Sequence, residues 1–155
     1  MSKKIYLAHS ISTKGEFNDS KRVAQELRKF GYDVYVASEN DSINDKSRNP
    51  TPIDIYNGDV NRILRCDIFV VNLNGNLQDG TISEIGVVAG LNEVKVNKIP
   101  LIAYSSNARL LQPQFYKGIP SASANHLVLG MIDKWGEFVG SEEAMLSTLE
   151  GMKYS

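Results

Sequence analysis

Asp79-Gly80-Thr81-Ile82-Ser83-Glu84-Ile85-Gly86 follows the apolar run Cys66-Asp67-Ile68-Phe69-Val70-Val71-Asn72 and opens an amphipathic segment that extends to about Val96. An apolar run of strand length, a polar turn with glycine and a helical pattern form a strand-turn-helix unit. It sets Asp79 and Glu84 at the carboxyl end of a buried strand, where open α/β sheets bind their ligands. Asp59 lies in the helical pattern just before that strand, so three carboxylates can converge on one crevice. Such clusters perform acid, base or nucleophile chemistry.

The same reading extends outward in both directions. Lys4-Ile5-Tyr6-Leu7-Ala8 suits a buried first strand, and Phe17, Val23, Leu27 and Phe30 give a helix over 16–30 that stops at Gly31. A second strand is predicted over 32–37. The polar stretch 38–50 has no periodicity and is expected to be an exposed or mobile loop of the kind that serves as a lid. Thr51-Pro52 then caps and opens a helix over 52–65, and a third strand covers 67–72. A helix over 81–96 carries the small residues Gly86 and Gly90, and a fourth strand covers 99–104. Residues 105–124 show no clear pattern. A short helix over 125–133, a fifth strand over 136–139 and a helix over 142–152 capped by Ser141 complete the chain. Strands alternating with helices predict one α/β domain, spanning 1–155, with a five-stranded parallel sheet in the order 2-1-3-4-5.

A chain of 155 residues is large enough for one core. Its 17 Lys and Arg are dispersed among 18 Asp and Glu, giving a net charge of −1, so no basic footprint for nucleic acid or an anionic membrane is present. A small-molecule ligand is the expectation. The single cysteine, Cys66, has no partner for an internal disulfide, and Met-Ser-Lys-Lys runs directly into the first strand, which reads as cytoplasmic. No apolar run approaches the roughly 18 residues of a membrane span. His9 and His126 lack metal spacing with each other or with Cys66, so no metal is expected. Gly75-Asn76-Leu77-Gln78-Asp79-Gly80 lacks the Lys-Ser/Thr ending of a phosphate-binding P-loop.

Each candidate also has a structural reading. By spacing, Thr81-Ile82-Ser83-Glu84 reads first as a capping box, which would bind the glutamate to its own helix start. Its location favours a carboxylate held ionised by a helix amino end and able to attack carbon. Tyr6 is a core aromatic by its strand, or a hydroxyl within reach of Glu84. Asp59 is a solvated helix residue with Arg62 as an i,i+3 partner, or a third acid of the crevice.

Ile5-Tyr6-Leu7-Ala8, the Asp59-x-x-Arg62-Ile63-Leu64-x-x-Asp67 join, Asp79-Gly80-Thr81-x-x-Glu84-Ile85-Gly86 and Asn125-x-Leu127 together resemble the nucleoside 2-deoxyribosyltransferases over nearly the whole chain. The resemblance implies a flavodoxin-like doubly wound fold, no cofactor, and transfer of a 2-deoxyribosyl group between bases through a covalent ester with retention of configuration. It implies Glu84 as the nucleophile at C1′, Tyr6 as its hydrogen-bonding orienter and Asp59 as the group protonating the nucleobase. It further implies Asp79 and Gly80 at the sugar or base, and Asn125 reaching a sugar hydroxyl from a neighbouring subunit of a homo-oligomer. His9-Ser10-Ile11 stands where many relatives have Gly-Pro-aromatic beside the base, and Ser155 follows Tyr154 where relatives can end on tyrosine. Two rivals remain open. One is a nucleotide N-glycosidase gripping a 5′-phosphate, for which Ser10, Ser12, Ser83 and Arg22 are the available residues. The other is a non-catalytic nucleotide-binding module.

Overall fold

The structure is a computed structural model that describes residues 1–74, 79–107, 115–120 and 124–154. Residues 75–78, half of the unpatterned 105–124 stretch (108–114 and 121–123) and Ser155 therefore lie outside it. Five parallel strands form the central sheet: β1 (Lys4–Ala8), β2 (Asp33–Val36), β3 (Ile68–Asn72), β4 (Leu101–Tyr104) and β7 (Gly136–Phe138). Their order is β2-β1-β3-β4-β7, the predicted 2-1-3-4-5 arrangement. A two-residue antiparallel pair, β5 (Phe115–Tyr116) with β6 (Ile119–Pro120), intervenes in sequence without joining the sheet.

Among the described residues six helices accompany the strands: α1 (Lys14–Arg28), α2 (Asp41–Asn44), α3 (Pro52–Arg65), α4 (Asp79–Val94), α5 (His126–Trp135) and α6 (Glu142–Met152). Every residue of β3 is buried, as a strand covered on both faces requires. On one face Ile5, Leu7, Val34, Val70, Ile102 and Tyr104 pack with Val23 and Leu27 of α1 and Met145 and Leu149 of α6. On the other, Tyr6, Ala8, Phe69, Val71, Leu101 and Ala103 pack with Ile63 of α3, Ile85 and Val88 of α4, and Val128 and Ile132 of α5. Each such aliphatic side chain contributes about 1.5–3 kcal/mol when fully buried.

The 38–50 stretch departs from expectation. It is built of tight turns: a 3-10 turn over Ala37–Glu39, the single turn α2, and a second 3-10 turn over Lys46–Arg48. Local side-chain caps replace hydrophobic periodicity here, since Asn40 accepts from the Ser42 N–H and Asp45 from the Ser47 N–H. Such caps leave no 3.6-residue apolar signature to read. Element ends elsewhere shift by a residue or two; α1 begins earlier than predicted because Thr13 and Glu16 form its capping box.

The join between α5 and β7 depends on glycine for space. A Cβ on Gly136 would lie 1.6 Å from the Leu101 carbonyl oxygen of β4, a backbone atom with no rotamer in which to retreat. Gly136→Ala is expected to cost about 3 kcal/mol, at the upper end of overpacking penalties. A urea titration measures this, and an unchanged midpoint would show that β7 lies farther from β4.

Candidate active site

β1, α3 and α4 bring three polar side chains to one point. Tyr6 extends from β1 toward the face that α3 and α4 cover, its ring stacked 5.6 Å from Phe69 and tilted 5.1 Å from Tyr35. Those contacts fix the ring and carry its hydroxyl to both helices. There it comes close enough to Glu84 of α4 and Asp59 of α3 for the three groups to bear on one another's protonation.

Tyr6 is thus both the core aromatic and the polar contact that the sequence offered as alternatives. The capping-box reading of Thr81 and Glu84 is corrected. α4 begins at Asp79, so both residues lie within the helix, Thr81 buried and Glu84 half-buried. A cap requires a non-helical backbone at its first residue, and Thr81 is already in the helix. Capping boxes occur instead at α1 (Thr13, Glu16) and α3 (Thr51, Asp54).

The electrostatics follow from burial and proximity. Removal from water pushes the Glu84 carboxyl up to about 7; the Tyr6 hydrogen bond opposes the rise and the nearby Asp59 charge adds to it. Asp59 is also raised, chiefly by burial, against the Tyr35 hydrogen bond, the Arg62 charge and the Tyr6 hydrogen bond. Burial, then the Glu84 and Asp59 charges, drive the Tyr6 hydroxyl far above its ordinary range, so it keeps its proton. Two carboxyls with elevated affinity for protons share one tyrosine. Glu84, near 7, is available in both its ionised and its protonated form around neutral pH, with a second carboxyl beside it.

The hydrogen bonds of the other sequence-predicted residues lead elsewhere. Asp79 is exposed at the start of α4, where its Oδ1 accepts from the Gly80 N–H at 2.9 Å. Asn125 caps α5 by accepting from the Leu127 N–H at 2.8 Å. His9 is buried, with ring nitrogens 2.6 Å from the Ser10 carbonyl oxygen and 3.0 Å from Asp19, and with the Asn72 amide 3.1 Å away. Arg62 donates to the Gly58 carbonyl and stacks on Tyr35 at 4.4 Å, its charge still bearing on Asp59.

The four residues available for gripping a phosphate are all engaged. Ser10 and Ser12 donate to Glu16, Ser83 donates to the Asp79 carbonyl, and Arg22 pairs with Asp19 and Glu142. Among the described residues no group of three or more His, Cys, Asp or Glu is placed to hold a metal ion, and no helix is long and apolar enough to cross a membrane.

Sequence reasoning missed Tyr35 and Asn40. The Tyr35 hydroxyl lies 3.2 Å from Asp59 Oδ1, and Asn40 Nδ2 donates to that hydroxyl at 3.1 Å. Tyr35 pairs with Tyr6 across β1 and β2, so the predicted strand adjacency together with the alternation Val34-Tyr35-Val36 was the available signal.

Similarity to known proteins covers most of the chain. The family model of nucleoside 2-deoxyribosyltransferases matches residues 5–146. An uncharacterized protein of Ureaplasma parvum is 33% identical over 99 residues, an alignment spanning 58% of this chain and 61% of that protein. A conserved protein of Enterococcus faecalis superposes with a TM-score of 0.81 at 24% identity, covering 98% of this chain and 99% of that one. A CMP N-glycosidase of Clostridium botulinum superposes with a TM-score of 0.63 at 16% identity, over 97% and 99% of the two chains. A 2-deoxyribosyltransferase of Bacillus psychrosaccharolyticus gives a TM-score of 0.60 at 18% identity, over 94% and 95%. At these identities the solved structures share the fold.

Proposed function

This chain belongs to the nucleoside 2-deoxyribosyltransferase family, and on that premise we propose that it transfers a 2-deoxyribosyl group between nucleobases of free 2′-deoxynucleosides. One observation carries the reading: a single tyrosine hydroxyl set beside two half-buried carboxyls, one from α3 and one from α4. Glu84 in its ionised form attacks C1′ as the N-glycosidic bond breaks, forming a deoxyribosyl ester. Asp59 gives its proton to the departing base. Tyr6 donates to Glu84 and holds the carboxylate toward the sugar. The facing carboxylate stabilises the oxocarbenium-like charge that develops at C1′, and protonation improves the leaving group. An incoming base then attacks C1′ and Asp59 recovers the proton. Two displacements at one carbon retain configuration.

Free nucleosides rather than monophosphates are favoured by the engagement of Ser10, Ser12, Ser83 and Arg22 within the protein. Asp79, Gly80 and Asn125 stand at the termini of α4 and α5 as the residues for sugar and base contacts. His9, bonded into the β1 end, shapes the base side of the cleft. We assign the Asn125 contact to a neighbouring subunit of a homo-oligomer. The deciding experiment incubates the protein with a 2′-deoxynucleoside, with and without a second free base. A new nucleoside is the expected product. Free sugar alone, or action only on the 5′-monophosphate, assigns an N-glycosidase instead, and retention of ligand without turnover assigns a binding module.

A further inference from the structure

We propose that Tyr35, oriented by Asn40, is a positioning residue for Asp59 that reserves Asp59 Oδ1 as an acceptor and leaves the acidic proton to Oδ2. The proposal rests on the reading of Asp59 as the proton donor to the leaving base.

The direction of each hydrogen bond from Ser42 through Asn40 and Tyr35 to Asp59 follows from one backbone group. The Ser42 N–H can only donate, and it donates to Asn40 Oδ1 at 3.1 Å; the Ser42 hydroxyl reaches the same oxygen at 2.6 Å. The Asn40 amide is thereby fixed with Nδ2 facing Tyr35, and an amide nitrogen can only donate. The Tyr35 hydroxyl accepts that bond, so its own proton goes to Asp59 Oδ1, 3.2 Å away. An oxygen that accepts there is carbonyl-like when Asp59 is protonated, and the acid O–H belongs to the other oxygen.

The tyrosine is held as firmly as the polarity requires. Its ring lies between Tyr6, 5.1 Å away, and the Arg62 guanidinium, 4.4 Å from its centroid. Burial pushes its hydroxyl up to about 12, so it remains a donor across the working range. It borders a cavity of about 460 Å³ that Asn40, Ser42, Arg48 and Arg62 also line. The segment from Ala37 to Arg48 therefore acts on the chemistry through Asn40, which caps α2 and directs Tyr35 with the same amide.

A mispositioned acid penalises poor leaving groups most, because they depend most on protonation in the transition state. The test is a series of 2′-deoxynucleosides graded in the acidity of the leaving base, within whichever base class the wild type accepts. Tyr35→Phe deletes the donor. Asn40→Asp keeps the α2 cap, since aspartate accepts from the Ser42 N–H as well as asparagine does, but its carboxylate draws the Tyr35 proton away from Asp59. Both variants are expected to lose about tenfold in kcat/KM on the least acidic bases and little on the most acidic. The plot of log kcat/KM against leaving-base pKa steepens in each. Parallel lines, whether displaced or coincident with wild type, overturn the role of Tyr35. Absence of N-glycosidic cleavage in the wild type overturns the reading of Asp59 and this proposal with it.

Discussion

Glu84→Gln is expected to lose roughly four orders of magnitude in turnover while remaining folded, because an amide cannot form the glycosyl ester. The stability of the variant makes the test sharp. The Glu84 carboxyl is raised from 4.5 to about 7 in the folded protein, so the folded state holds its proton more tightly than the unfolded chain. Stability from this group is full below about pH 4.5 and is lost as pH rises through 7, a difference of roughly 3 kcal/mol. Glutamine imitates the neutral acid. At pH 8 the variant should therefore melt above wild type, with the difference vanishing near pH 4. A 2-fluoro-2-deoxyarabinosyl nucleoside should trap the ester, because fluorine destabilises the cationic transition state for its breakdown. Intact mass should rise by one fluorosugar, and peptide mapping should place it on Glu84. Full turnover in Glu84→Gln, or an adduct on Asp59 or Asp79, would overturn the assignment of the nucleophile.

Asp59→Asn and Tyr6→Phe should each reduce turnover by about 10²-fold or more, the scale of general-acid and nucleophile-orienting effects. Their pH profiles should move in opposite directions. With Glu84 as the proposed nucleophile, the wild-type rate should rise with pH through about 7. In the free enzyme Asp59, where ionised, raises Glu84 by its charge, and Asp59→Asn removes that charge, so the acid limb moves to lower pH. Tyr6 lowers Glu84 by hydrogen bonding, and its loss moves that limb to higher pH. Single-turnover release of base across pH 5–9 reads both. Limbs displaced in the same direction would show that the two side chains do not act on Glu84 independently.

Much of the architecture was legible because the signals are local. Apolar runs of strand length and 3.6-residue patterns locate each sheet strand and each helix of ten residues or more, and the strand-turn-helix unit at 66–86 gives the parallel order. The segment from Ala37 to Arg48 was not legible as structure, since Asn40 and Asp45 hold it through caps within two residues and need no apolar face.

The sequence by itself determined the α/β class, the strand order and the presence of Tyr6, Asp59 and Glu84 in elements that meet. Only the tertiary structure decided what those groups can do. Whether Glu84 caps its own helix or meets Tyr6 depends on where α4 begins, and that makes it an acid near 7 rather than an ordinary surface carboxylate. Whether Ser10, Ser12 and Arg22 can grip a phosphate depends on Glu16, Asp19 and Glu142, which already engage them. The physical reason is common to both. Periodicity is written along the chain, whereas the protonation and availability of a polar group are set by water excluded and partners supplied from segments distant in sequence.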